Sequence, residues 1–172
     1  MIIDGKQIAE EIISGLKKEV EDKKLKLQLG AVLVGDDPEF KKFVELKGKA
    51  ADKIGIDFTL YKFPKDIKTA ELSKNIGDIV RWSDGVLIEL PLPKHIDQGK
   101  ILNIVPIEKD VDVLSDGAQR RFYDVEPRSE VRHRVLPPAV EGVKIIFDKF
   151  KTASKLATDN FHAFYGGLVH LF

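Results

Sequence analysis

Two side chains in FVELKGKAA, residues 43–51, have the types and spacing for chemistry: the ring of Phe43 and the amine of Lys47. Four residues apart on a helix, they stand one above the other on the same face. Such a face offers a planar ligand a surface to lie on and an amine that can act on it. The same spacing also suits a phenylalanine tucked into the core with the lysine stem lying over it. Spacing alone leaves both readings open.

The elements that must position these groups can be read from the patterning. Asp4 suits the cap of a helix running to about Lys23, with Ile8, Ile12, Leu16 and Val20 on one stripe. LQLGAVLVG (27–35) is a near-continuous apolar run, the mark of a strand buried on both faces. GDDP (35–38) is turn chemistry, and Pro38 suits the opening of a second helix. That helix carries Phe43, Lys47 and Ala50–Ala51 and stops near Gly55. IDFTLYKFP (56–64) alternates as a second strand, and Thr69 caps a helix over 70–81 with Leu72, Ile76, Ile79 and Val80 inward. DGVLIELPLP (84–93) is a third buried strand entering a proline-rich loop; Asp97 opens a short helix, 98–105, which Pro106 ends.

Alternating helices and strands predict an α/β fold: a three-layer domain with a mainly parallel sheet flanked by helices. In such sheets ligands bind beyond the carboxyl ends of the strands. Gly35–Asp37, Glu89–Pro93 and the loop around Asp110–Asp112 all fall there.

After Asp112 the texture changes. SDGAQRRFYDVEPRSEVRHR (115–134) is polar and basic without a convincing period, so 114–136 is expected to be an irregular connector. PPAVEGVKIIFDKF (137–150) resumes as a helix with Val140, Val143, Ile146 and Phe147 on a face, and a shorter helix is expected to reach about Tyr165. The expected map is one domain over 1–113, the connector, and a C-terminal helical tail over 137–172.

Composition excludes several classes. Apolar residues make up 43% and charged residues 33%, with zero formal net charge, which predicts neither a nucleic-acid nor a membrane-surface role. The chain has no cysteine, so disulfides, thiolate nucleophiles and cysteine-bound zinc are excluded. No apolar run approaches the roughly 20 residues that span a bilayer, and MIIDGKQIAEEI is neither a signal nor a transit sequence; a cytoplasmic protein is expected. None of the four histidines, His95, His133, His162 and His170, has a partner at metal spacing. RRFY and RSEVRHR read as solvated loop, and Ser115 and Ser129 lack the company of a nucleophile.

Taken in order, MIIDGKQIAEEI, VLVGDDPEFKKFVELKGKAADKIGI, GVLIELPLPKHID and PIEKDVDV resemble the bifunctional methylenetetrahydrofolate dehydrogenase/methenyltetrahydrofolate cyclohydrolase family of the FolD type, over residues 1–113. LPPAVEGVKII is a weaker echo of its next segment. The resemblance implies a folate-binding catalytic domain acting on a reduced folate. The reaction would be hydrolysis of 5,10-methenyltetrahydrofolate to 10-formyltetrahydrofolate. Dehydrogenation of the methylene form would follow only where an NADP domain is supplied. It further implies that Lys47 transfers protons and that the Asp112 carboxylate holds the pterin. Phe43 stands where a tyrosine usually packs on the folate, and Glu89 where a glutamine usually hydrogen-bonds the lysine. Leu90, Pro91 and Pro137 are implied as substrate-binding positions. The family is usually dimeric, so a homodimer is implied, with IDFTLYKFP the strand to look to for a pairing edge. A lysine can serve near neutral pH where desolvation draws its pKa down from about 10.4.

Four departures accompany the resemblance. Phe43 has no hydroxyl. Glu89 puts an anion beside Lys47, which favours the ammonium form. Val113 follows Asp112 where the family commonly has glycine; if a positive φ is required, valine is not expected to adopt it without strain, and Asp112 would be aimed differently. Finally, no glycine-rich nucleotide loop is present. Residues 113–172 are too few for a dinucleotide fold, whose βαβ halves take about 30 residues each. No NADP binding by this chain alone is therefore expected. The alternative is a non-catalytic folate-binding or interaction protein on the same scaffold. Residues 152–172 are expected to fill a groove on the folate domain.

Overall fold

The computed structural model describes residues 4–123 and 136–150, and the chain divides into two compact units, Met1–Val135 and Leu136–Phe172. The expectations for 124–135 and for the tail beyond 150 lie outside the described residues.

In the first unit, α1 (Gly5–Asp22) leads to β1 (Gln28–Val34), α2 (Pro38–Ile54), β2 (Asp57–Phe63), α3 (Thr69–Trp82) and β3 (Gly85–Ile88). α4 (Gln98–Leu102), a 3-10 turn over Ile107–Lys109 and α5 (Asp116–Tyr123) follow. The three strands form a parallel sheet in the order β2-β1-β3. β1 lies between two partners, which is why LQLGAVLVG lacks the apolar–polar alternation of a half-covered strand: Gly30 to Val34 are all buried.

Successive residues point to opposite faces. Val32, Val34, Val86 and Ile88 pack with Leu72, Ile76 and Ile79 of α3 in the larger core layer. Ala31 and Leu87 point the other way, toward Val44 of α2, with Leu29, Phe58 and Leu60 closing the smaller layer. The α/β expectation with helices on both faces is met.

Local chemistry sets the boundaries. The Asp4 carboxylate accepts from the N–H groups of Lys6 and Gln7 at the start of α1, as expected. Four expectations are corrected. Thr69 is inside α3 rather than its cap; its hydroxyl instead accepts the Asp97 N–H at 3.1 Å, joining α3 to the entry of α4. β3 has only four residues. The Glu89 N–H still donates to the Val32 carbonyl at 2.9 Å, but the prolines beyond cannot continue a ladder; the Leu90–Pro91 bond is cis. The helix expected over 98–105 ends at Leu102, capped by Asn103. α1 buries no residue fully: Ile8 and Val20 are half-buried, Ile12 and Leu16 exposed.

The fourth correction concerns the expected connector, which contains α5. Ser115 accepts the Ala118 N–H on its hydroxyl, and Asn103 clasps Asp116 by accepting its N–H and donating to its carboxylate, at 2.8 and 3.0 Å. Tertiary capping makes this short polar helix, which hydrophobic period could not reveal.

The second unit contributes α6 (Pro138–Phe150), a helix opened by proline as expected.

Candidate functional site

Lys47 stands midway along α2. Asp37 caps this helix by accepting the Glu39 N–H, Pro38 opens it, and Gly55 ends it at φ 90°. The next residue, Gly48, decides how close the helix comes to the sheet: a Cβ there would lie 3.0 Å from the Phe58 ring. Gly48→Val is therefore expected to push α2 off the sheet. Overpacking costs about 1–3 kcal/mol, of which better helix propensity returns only a few tenths. A thermal melt should show a Tm lower by several degrees; an unchanged Tm would contradict the close approach.

Glu89 is the first residue past β3, and Asp112 lies in the loop after the 3-10 turn, so one reaches Lys47 from a strand end and the other from a loop. Lys47 Nζ donates to Glu89 Oε1 at 2.7 Å, a charge-assisted hydrogen bond. Asp112 Oδ2 lies 3.8 Å from the same nitrogen, an ion contact too long for a hydrogen bond. The Glu89 side chain is only 9% exposed, while that of Lys47 is about a third open to solvent. Burial pushes the Asp112 carboxyl above its ordinary value of 3.8. Lys47 opposes the shift, and Glu89 and Asp110 add to it.

A raised folded-state value means that ionised Asp112 costs folding free energy. That cost is absent below about 3.8 and grows as pH rises through the folded value. Asp112→Asn should thus melt higher than the parent near neutral pH, with the advantage fading toward about pH 4. A variant melting lower at neutral pH would contradict this.

Phe43 settles one of the two opening alternatives. It is 60% exposed, so it is not a core residue with a lysine stem laid over it. The ring is available as a platform. Leu90 is half-buried and Pro91 exposed beside Glu89. Pro137 belongs to the second unit, where its carbonyl accepts the Glu141 N–H.

The loop bearing Asp112 is tied down at several points. Lys109 Nζ donates to the Val80 carbonyl at 2.7 Å near the end of α3, and Asp110 bridges to Val86 of β3. Gly85 gives Val111 room: a Cβ there would meet Val111 Cγ1 at 2.8 Å. Val113 adopts a positive φ, 57°, the conformation that valine was expected to enter only with strain, and its side chain is buried. The residue that sequence reasoning missed is Asp110. Its partners are N–H groups four and five residues on, beyond the two-residue reach of an Asx turn, so no local motif marked it.

Elsewhere, a His95 ring nitrogen lies 2.9 Å from the Ile67 carbonyl, in keeping with a structural role. Among the described residues no cluster of His, Asp and Glu suits a metal ion, and no helix is long and apolar enough to cross a membrane.

Fold and cluster together define an α/β protein with a lysine flanked by two carboxylates at the carboxyl end of a parallel sheet. Comparison with known proteins narrows this. Residues 3–112 match the family model described as tetrahydrofolate dehydrogenase/cyclohydrolase, catalytic domain. The bifunctional protein FolD of Nautilia profundicola is 45% identical over 116 residues, covering 64% of this chain and 41% of that protein. The crystal structure of the bifunctional 5,10-methylenetetrahydrofolate dehydrogenase/cyclohydrolase of Thermoplasma acidophilum superposes with a TM-score of 0.76 at 29% identity. That match covers 87% of this chain and 53% of the other. The Trypanosoma brucei enzyme, solved with NADP cofactor and an inhibitor, shares the fold with a TM-score of 0.78 at 22% identity, over 92% and 54% of the two chains. This chain belongs to the tetrahydrofolate dehydrogenase/cyclohydrolase family, and the matched part is its catalytic domain. It spans about half the length of the relatives it matches.

Proposed function

We propose that this chain binds a reduced folate over Phe43 and hydrolyses the 5,10-methenyl bridge to the 10-formyl form, with Lys47 moving the protons. The observation that carries the reading is the Lys47 ammonium held 2.7 Å from Glu89 and 3.8 Å from Asp112, one helical turn from the exposed Phe43 ring. An aromatic face suits a planar pterin without demanding charge. The Asp112 carboxylate can accept hydrogen bonds from the pterin's amino and ring N–H groups, fixing its orientation.

The chemistry needs two proton movements. Water adds to the cationic bridge carbon and loses one proton, giving a neutral carbinolamine. The carbinolamine hydroxyl then gives up its proton, the carbon–N5 bond breaks, and N5 gains a proton, leaving the formyl group on N10. One proton is released overall. A single amine facing the bridge carbon and N5 serves both movements, accepting from oxygen and donating to N5.

The described residues do not fit NADP. The β1–α2 turn has one glycine, Gly35, followed by Asp36 and Asp37, and the Asp37 carboxylate already takes the N-terminal Glu39 donor. Acids stand where a pyrophosphate would need N–H groups and positive potential. No hydride-transfer step is assigned to these residues; dehydrogenation requires an NADP domain from elsewhere.

One observation favours a second reading, a folate binder without turnover. The Lys47 amine is already engaged by the Glu89 carboxylate at 2.7 Å, so the group assigned to the protons is tied up in an ion pair. As for partners, we assign a homodimer to the β2 side, since β2 ends the sheet and no described strand pairs with its outer edge. Calorimetric titration with tetrahydrofolate tests the reading that both functions share. Saturable heat is expected, and none from well-folded protein would reject it.

A further inference from the structure

We infer that Asp110 is a positioning residue whose carboxylate holds residues 112–115 in the turn that aims Asp112 at Lys47, against the backbone preference of Val113. The inference rests on reading Lys47 and Asp112 as the folate-facing pair.

Asp110 is 6% exposed, and among the described residues it forms no ion pair with a lysine, arginine or histidine. A carboxylate so placed is costly unless hydrogen bonds satisfy it. Its partners are all backbone groups just ahead in the chain. Oδ2 accepts the Leu114 N–H at 3.0 Å and the Ser115 N–H at 2.8 Å, and Oδ1 lies 3.2 Å from the Leu114 nitrogen. The Asp110 carbonyl also receives the Val113 N–H, at 3.4 Å. Side chain and main chain of one residue thus close the loop on both sides of Val113.

What they close is an unfavourable conformation. Val113 has φ 57°, a region that β-branched residues rarely enter because the side chain crowds the backbone. Strain of this kind persists only where surrounding contacts over-determine it. The behind-side contacts are the Asp110–Val86 bridge and the Lys109–Val80 bond; the ahead-side contacts are the two N–H groups on Asp110. Asp112 sits between these anchors. If Val113 relaxed to a negative φ, the peptide joining it to Asp112 would rotate, and the carboxylate would leave its 3.8 Å contact with Lys47. Glycine at 113 would hold the same turn unaided, because it enters positive φ without steric cost.

That contrast supplies the test, a four-way comparison of the parent, Asp110→Asn, Val113→Gly and the double variant. Asparagine offers one acceptor oxygen where the turn uses two, and its amide turns N–H toward N–H. With tetrahydrofolate as the probe, Asp110→Asn should weaken binding about tenfold, the scale of a small misplacement of an orienting group. Val113→Gly should bind like the parent, and the double variant should recover to within about threefold of it. A merely structural role for Asp110 predicts no rescue by glycine, because the burial and bonds lost are the same in both backgrounds. Binding by Asp110→Asn equal to the parent, or a double variant as weak as Asp110→Asn, overturns the inference.

Should Asp110→Asn fail to fold, comparing Val113→Gly with the double variant decides alone: a difference above about threefold contradicts the inference. Ligand-free crystal structures separate this from the folate reading. The Asp112–Lys47 separation should lengthen in Asp110→Asn and return in the double variant whether or not the parent binds folate. An unchanged separation in Asp110→Asn overturns the inference even if folate binds.

Discussion

Lys47→Met is expected to bring hydrolysis of 5,10-methenyltetrahydrofolate down to the buffer rate. A positioned proton-transfer group supplies about 10²–10⁴-fold, and methionine keeps the length of the stem while removing the amine. The substitution has a second consequence that must be separated from the first. Glu89, whose side chain is 9% exposed, loses its cation. Breaking a well-buried pair costs about 3–5 kcal/mol; the solvent access of Lys47 places this pair below that range. The orphaned carboxylate is costly when ionised and cheap when protonated. The single variant should therefore melt lower than the parent. Adding Glu89→Gln removes the orphan, so the double variant should melt closer to the parent while remaining inactive. Turnover by the double variant at the parental rate would take Lys47 out of the mechanism.

Glu89→Gln alone is expected to raise turnover. The Glu89 carboxylate holds Nζ in a charge-assisted hydrogen bond at 2.7 Å, which must loosen before the amine can turn to substrate. Replacing it by an amide keeps a hydrogen-bond acceptor in place and removes the charge. A rise of about tenfold is the expected scale, since a charge-assisted bond is roughly twice as strong as a neutral one, read from initial rates. A fall of similar size would instead make Glu89 the acceptor of the water-derived proton, with Lys47 as its relay.

Much of the fold was legible because the sheet is parallel and doubly covered. β1 announced itself as a near-continuous apolar run, and α3 by Leu72, Ile76 and Ile79 at helical spacing. Elements held by tertiary bonds were not legible. α5 depends on Asn103 and Ser115, whose roles as caps emerge only once the chain has folded back. The stripe on α1 identified a face without saying what covers it.

The site was legible unevenly. Lys47 and Glu89 are 42 residues apart, and no period brings them together; the resemblance nominated them, and the geometry then joined them. Phe43 carried two readings at the same spacing, and only its exposure removed the core one. Val113 was visible as a departure and as a point of strain, but what holds the strain was not. Intrinsic preference says that valine avoids positive φ, while the bonds from Asp110 to Leu114 and Ser115 hold the turn regardless.

The most direct test of the proposed function follows the loss of near-ultraviolet absorbance as 5,10-methenyltetrahydrofolate hydrolyses, with this chain alone against buffer and against Lys47→Met. Turnover above the buffer rate that disappears with the lysine is the predicted result. A parent rate equal to buffer, from folded protein that binds tetrahydrofolate, would contradict it and leave a folate binder on an enzyme's scaffold.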